Sequence, residues 1–433
     1  MPTLPGWPHG RSPERQNRTD RAIPWYDVPK SVALSGGSAV FEKGMMMEVE
    51  SFRVAVIDEE IDDLRQRLRL TRWPDQISGT GWDYGTDSDY LRELCAYWES
   101  EFDWRASEAR LNQWPQFTTT IDGQRIHFIH ARSKHEDART ILLIHGWPST
   151  PLEFLKLFGP LTDPEAHGGT PADAFHVVAP SLPGYGWSGP TTATGWGASR
   201  VADAYTTLMA GLGYGKYGIH GPDWGTTIAS IMARRHPERL LGLHLTLLTA
   251  SNGPMNQPLN REPTEAELEL KENHDAWAAA ALGYIAIQAT KPQTLAFALN
   301  DSPVGQASWI VEKLQSWTDC HGDLESTLTR DEILSSVSTY WFSGTGGSSA
   351  RLYLETARTF DQQPTGYVSV PTAVCIFPAE HVLTTRELAE DYYNVQRWTI
   401  MPKGGHFASL EQPELVTQNL RAFFGELEQG QAG

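Results

Sequence analysis

The sequence predicts an α/β fold, in which a mostly parallel sheet carries an inserted helical cap and is preceded by an N-terminal helical arm. Three observations predict it. Short apolar runs, "TILLIHG", "FHVVAP", "YGIHG", "LHLTLL", "TAVCIF" and "RWTIMP", are separated by helix-length segments, the rhythm of parallel strands joined by crossover helices. That rhythm stops between Thr249 and about Val370, a long interval rich in Trp, Tyr and helix formers. Ahead of the first run lie two segments of helical periodicity.

Taken in order, residues 1–47 are rich in Pro, Gly, Ser and Arg without hydrophobic periodicity and read as a flexible leader. The helical arm is expected over residues 48–116. In "DEEIDDLRQRLRL" and the Ile57 just before it, the residues Ile57, Ile61, Leu64 and Leu68 recur at helical spacing, with Asp58 as the expected N-cap. In "DSDYLRELCAYWESEF" the same face is drawn by Leu91, Leu94, Trp98 and Phe102. The first part of the core spans residues 117–250 and opens on a hairpin, because Asp122-Gly123 in "FTTTIDGQRIHFIHA" supplies two turn positions that tolerate positive φ. The cap is expected over residues 251–368 and the second part of the core over 369–433.

Composition excludes several function classes. A chain of 433 residues with 40% hydrophobic content can bury a sizeable core. A formal charge of −18 with no Lys/Arg-rich run argues against nucleic acid as a partner. Cys95, Cys320 and Cys375 lie far apart with no CxxC pair, so neither a disulfide framework nor a zinc site is expected, and a reducing cytoplasm fits. No apolar run approaches the roughly 18 residues of a membrane span, and the opening residues lack a signal core. A homodimer is left open.

Four motifs carry chemistry. "GPDWGTTIAS" has the small-x-nucleophile-x-small spacing of a nucleophile elbow, with Asp223 at the apex, the strand "YGIHG" before it and a helical segment after it. An N-cap aspartate is the plainer reading of Asp223. "LLIHGWPST" follows a strand and resembles an oxyanion element, with donors expected at the backbone N–H of Trp147 and of Trp224, the residue after the apex; His145 is expected to brace this turn. In "PKGGHFASLEQPE", His406 sits in a Gly-flanked loop between a strand and a helix, where a general base belongs. "TAVCIFPAEH" brings Glu380 to the end of an earlier strand as its orienting acid, with Asp361, Glu387 and Glu390 as rivals.

"HGWP", "GPDWG", "FPAE" and "GGHFASLEQPE", together with "TRWPDQISGTGWDYGTD" and "ALNDSPVGQASWIVEK", resemble the epoxide hydrolases of microsomal type over roughly residues 48–425. The resemblance implies an α/β-hydrolase fold, Asp223 as nucleophile, His406 as base and Glu380 as acid. It also implies Tyr284 in "LGYIAIQATKP" and Tyr353 in "SSARLYLE" as proton donors from the cap. Pro222 departs from the family, where Gly is frequent, and the membrane-anchoring segment of the animal members is absent. The implied substrate is a small epoxide, apolar or aromatic, in a pocket to which Trp147, Trp187 and Trp224 contribute, with no metal and no organic cofactor. A carboxylate suits this chemistry, because it displaces oxygen from strained saturated carbon without prior deprotonation. Rival readings are a haloalkane dehalogenase, a biosynthetic epoxide-opening cyclase and a non-catalytic binding protein on the same fold.

Overall fold

The structure, a computed structural model, describes residues 47–248 and 261–431. The leader, apart from Met47, and residues 249–260 of the expected core and cap lie outside the described residues.

A short strand, β1 (Glu50–Phe52), opens the chain, followed by α1 (Asp58–Arg69), α2 (Ser88–Ser100) and α3 (Trp104–Leu111). The β2 (Gln116–Ile121) and β3 (Gln124–Ala131) hairpin turns at Asp122 and Gly123, both at positive φ. Then come β4 (Arg139–Leu143), α4 (Leu155–Thr162), β5 (Phe175–Pro180), α5 (Ala198–Gly211), β6 (Tyr217–Gly221), α6 (Trp224–Arg235) and β7 (Leu240–Leu245). Between β7 and the next strand lie seven described α-helices: α7 (Glu265–Ala281), α8 (Gly283–Gln288), α9 (Pro292–Asp301), α10 (Pro303–Trp317), α11 (Arg330–Ser343), α12 (Gly346–Ser349) and α13 (Arg351–Arg358). The chain closes with β8 (Val368–Ile376), α14 (Arg386–Glu390), β9 (Tyr393–Ile400), α15 (Ala408–Glu411) and α16 (Pro413–Gln431).

The nine strands form one sheet in the order β1-β2-β3-β5-β4-β6-β7-β8-β9. The pairs among β1, β2, β3 and β5 are antiparallel, and all pairs from β5 to β9 are parallel. Every apolar run became a strand. Alternation along β4 divides the core: Ile141 and Leu143 join one buried cluster with Phe154, Phe158, Phe423 and Phe424, whereas Leu142 and Ile144 face the cluster containing α5, α6 and the helices beyond β7.

Two details of the arm differ from expectation. Asp58 is not the N-cap of α1: the extended residue there is Ile57, without a capping side chain, and Asp58 is the first helical residue, its carboxylate paired with Arg105. Ile57 is exposed, so only Ile61, Leu64 and Leu68 form the buried stripe. The arm also contributes β1, whose pairing with residues 116–118 comes from the core rather than from any local pattern.

Candidate active site

Asp223 stands between β6 and α6 with φ 46° and ψ −123°, a backbone state that costs a non-glycine residue about 1–3 kcal/mol and persists where its surroundings enforce it. Glycines make the room. A Cβ on Gly221 would lie 2.5 Å from the Gly225 backbone, and one on Gly225 would lie 2.0 Å from the Ile144 carbonyl oxygen. The turn forms with Pro222 in place. Although Asp223 occupies the residue before α6, its side chain makes no capping bond. Instead Oδ1 accepts the Trp147 backbone N–H at 2.9 Å. Gly146 permits that approach, since a Cβ there would lie 2.0 Å from Oδ1. The Trp224 amide opens α6, among the N–H groups that have no acceptor within the helix. His145 braces the turn: Leu182 N–H donates to its Nε2 at 3.0 Å, and burial lowers its pKa to about 4.

His406 brings its Nε2 to 3.4 Å from Asp223 Oδ2. That nitrogen is buried and makes no directed hydrogen bond, so it faces the carboxylate without being committed to it. Its Nδ1 donates to Glu380 Oε2 at 2.9 Å. The exposed rivals Glu387 and Glu390 lie on α14, and the Asp361 side chain lies outside the described residues. Burial works against charge on His406, but Glu380 and Asp223 together hold its pKa well above the usual imidazole value. For Glu380, burial likewise opposes charge, and the facing imidazoles of His406 and His381 outweigh it and depress the pKa.

Aromatic rings from α8, α10 and α13 close over this pair. Tyr284 stacks on Trp147 at 5.2 Å, Tyr353 meets Trp147 edge-on at 6.1 Å and Trp224 at 4.9 Å, and the two tyrosine rings are 6.0 Å apart. Burial raises both phenol pKa values well above normal, so both stay protonated donors. Asp223 keeps 19% of its side chain exposed beneath them.

A family pattern described as "Epoxide hydrolase N terminus" matches residues 49–154, and one described as "alpha/beta hydrolase fold" matches residues 139–279. The chain is 43% identical over 383 residues to an epoxide hydrolase homologue of Stigmatella aurantiaca, with 88% of this chain and 85% of the relative covered. It is 36% identical to "Epoxide hydrolase 1" of Sus scrofa, covering 88% of this chain and 89% of that one. The chain belongs to the epoxide hydrolase family. Among solved structures of this family it matches juvenile hormone epoxide hydrolase from the silkworm Bombyx mori with a TM-score of 0.80 at 31% identity, over 89% of this chain and 96% of that one. An epoxide hydrolase of Aspergillus niger matches with a TM-score of 0.77 at 31% identity, over 88% and 97%.

This epoxide hydrolase holds the loop that carries His406 by contacts the motifs do not announce. Glu411, on α15, accepts the backbone N–H groups of Asp319, Gly405 and Phe407 at 2.9–3.0 Å, and Trp317, ending α10, accepts the His406 N–H at 2.8 Å. Burial pushes Glu411 up to about 7 against these three donors. Glu153, in the turn after β4, is also pushed up to about 7, by burial first and then by Asp223 and Glu411, with Ser149 and His406 opposing. One expected pocket residue makes a different ring contact: Trp187 packs against Phe52 of β1 at 6.2 Å, whereas Trp147 and Trp224 meet the tyrosine rings. Donor atoms of Glu380, His381 and His406 lie within 4.8 Å of one another, near enough for a metal, but the Glu380–His406 bond already uses two of them.

No helix among the described residues is long and apolar enough to cross a membrane.

Proposed function

We propose that this hydrolase opens small epoxides to vicinal diols through a covalent ester on Asp223. The observation that carries the reading is the division of labour at that carboxylate. Oδ1 rests on the Trp147 N–H, and Oδ2 faces the His406 Nε2 at 3.4 Å. Oδ2 attacks a ring carbon, the ring C–O bond breaks, and the leaving oxygen takes a proton from the phenols of Tyr284 and Tyr353. The ester carbonyl then sits on the Trp147 and Trp224 amides. His406, oriented by Glu380, takes a proton from water, and the hydroxide adds to the ester carbon. The amides carry the tetrahedral oxyanion, which collapses to diol and free Asp223. The proton taken by His406 replaces the one the tyrosines gave, so epoxide plus water gives diol with no cofactor.

Residues 251–368 act in this reading as the cap that supplies both phenols, and Trp147 and Trp224 form the apolar floor. Three buried cysteine thiols support a reducing cytoplasm as its setting. Water activation by His406 is separable from ring opening, which gives the test: His406→Gln mixed with an aryl oxirane accumulates an adduct of substrate mass on the intact protein, and Asp223→Ala forms none. Diol production by His406→Gln at the parental rate without an adduct would overturn the covalent route.

A further inference from the structure

His381 follows Glu380 directly, and the two-step reading leaves it without a task. Its Nδ1 lies 2.9 Å from Glu380 Oε1, while Oε2 of the same carboxylate lies 2.9 Å from His406 Nδ1, so one carboxylate faces two imidazoles. The His381 contact is electrostatic rather than directed, because the oxygen lies off the line of the ring N–H and that nitrogen has no aligned partner. The side chain is 10% exposed. Packing fixes the ring: Trp317 of α10 stacks on it at 4.9 Å, Trp277 of α7 lies tilted against it at 4.4 Å, and the His406 ring is 4.9 Å away.

We propose that His381 is a positioning residue for the base, sharing Glu380 between two imidazoles and so limiting how tightly Glu380 holds the proton of His406. The proposal rests on the reading of His406 as the base of ester hydrolysis. A polar ring nitrogen close to a carboxylate oxygen, even off the line of its N–H, favours the charged carboxylate and lowers its pull on any other proton. That pull needs a limit, because an imidazolium held too strongly cannot act as a base near neutral pH. Asp223, Glu380, Glu153 and Glu411 act on His406 electrostatically. His274 of α7 acts with His381. At Glu380 Oε1, His381 is joined only by the Val382 N–H at 3.3 Å among the described residues. Both flanking tryptophans come from the helices between β7 and β8, so those helices place the ring nitrogen that tempers the base.

The test separates the two half-reactions. Excess enzyme is mixed with an oxirane, ring opening is followed by tryptophan fluorescence and intact mass, and decay of the ester is followed from about pH 5 to 9, which brackets imidazole titration. His381→Phe keeps a flat ring between the tryptophans and removes the polar ring nitrogen; His381→Leu serves the same comparison should the Phe variant not fold. Ring opening is expected at the parental rate. The pH of half-maximal ester hydrolysis should rise by about half a unit, a roughly three-fold loss of rate on the acid side. His381→Gln, which restores an N–H, should return toward the parent. Loss of packing alone would slow both steps without moving the midpoint. An unchanged midpoint in the Phe and Leu variants overturns the proposal and leaves the covalent route standing. Absence of any adduct in the parent removes the covalent route, and the proposal with it.

Discussion

At His406 two carboxylates act on one imidazole from opposite nitrogens, and on the proposed covalent route only one of them keeps its charge through the first step. Glu380 bonds Nδ1, and on that route Asp223 would lose its charge on becoming an ester. Both raise the His406 pKa against the opposing effect of burial, so ester formation on the proposed route would remove one raising influence and leave the imidazole freer to take a proton from water. Asp223→Asn mimics that loss of charge and should lower the His406 titration midpoint by on the order of one unit, read by NMR of ring-labelled histidine. A raised imidazole pKa contributes stability that is complete below the unfolded value and lost as pH rises through the folded value, and Asp223→Asn should remove part of it. A His406 midpoint indifferent to Asp223→Asn would uncouple the base from the nucleophile.

Two of the elements between β7 and β8 bring the phenols to the site, Tyr284 on α8 and Tyr353 on α13. Because both rings meet Trp147 and lie 6.0 Å apart, they can serve one oxygen. Each single Tyr→Phe change should slow ring opening and leave some activity. The double change should cost about 10²–10⁴-fold in that step with ester hydrolysis little altered, seen as a slowed fluorescence transient. Parental ring opening by the double variant would favour halide release, which needs no proton donor. Legibility follows the same division. The elbow, the turn at Trp147 and the loop at His406 were legible because their glycines and flanking strands are local in sequence, and the strands because parallel strands buried on both faces read as apolar runs. The tyrosines were legible only through family resemblance, since nothing beside them in sequence marks a donor. Glu411 was not legible, because two of its three partners flank His406 and the third is Asp319. β1 is three residues whose partner lies more than sixty positions away. Trp187 misleads for the complementary reason: a tryptophan in a Gly-rich turn looks like a pocket wall, and only the sheet edge shows that Phe52 receives it.

Across the whole molecule, the interior buries two kinds of titratable group with opposite responses to acid. His127, His145, His220 and His244 are fully buried and bonded as neutral rings, His127 between Ser181 and Gln116, and His220 between His244 and Ser409. Burial lowers His127 to about 3 and His145 and His220 to about 4, with His244 also well below 6.5. Their stabilisation is present above the unfolded value and lost as pH falls below it, about 1.4 kcal/mol each at one unit below, on the order of 5 kcal/mol for the four. Glu153 and Glu411, raised to about 7, run the other way: their contribution is complete below 4.5 and lost as pH rises through 7. Between about pH 7.5 and 5.5 each carboxyl returns roughly 2 kcal/mol, so the two offset most of the histidine loss. Glu153→Gln removes one side of that balance. It should stabilise the fold at the higher pH, where the parent buries a charge, and make the decline toward the lower pH steeper by about 2 kcal/mol. Urea unfolding at both values, followed by tryptophan fluorescence, measures the difference. A decline of equal size in parent and variant would mean that Glu153 stays ionised across the range, its charge carried by Ser149 and the imidazolium of His406.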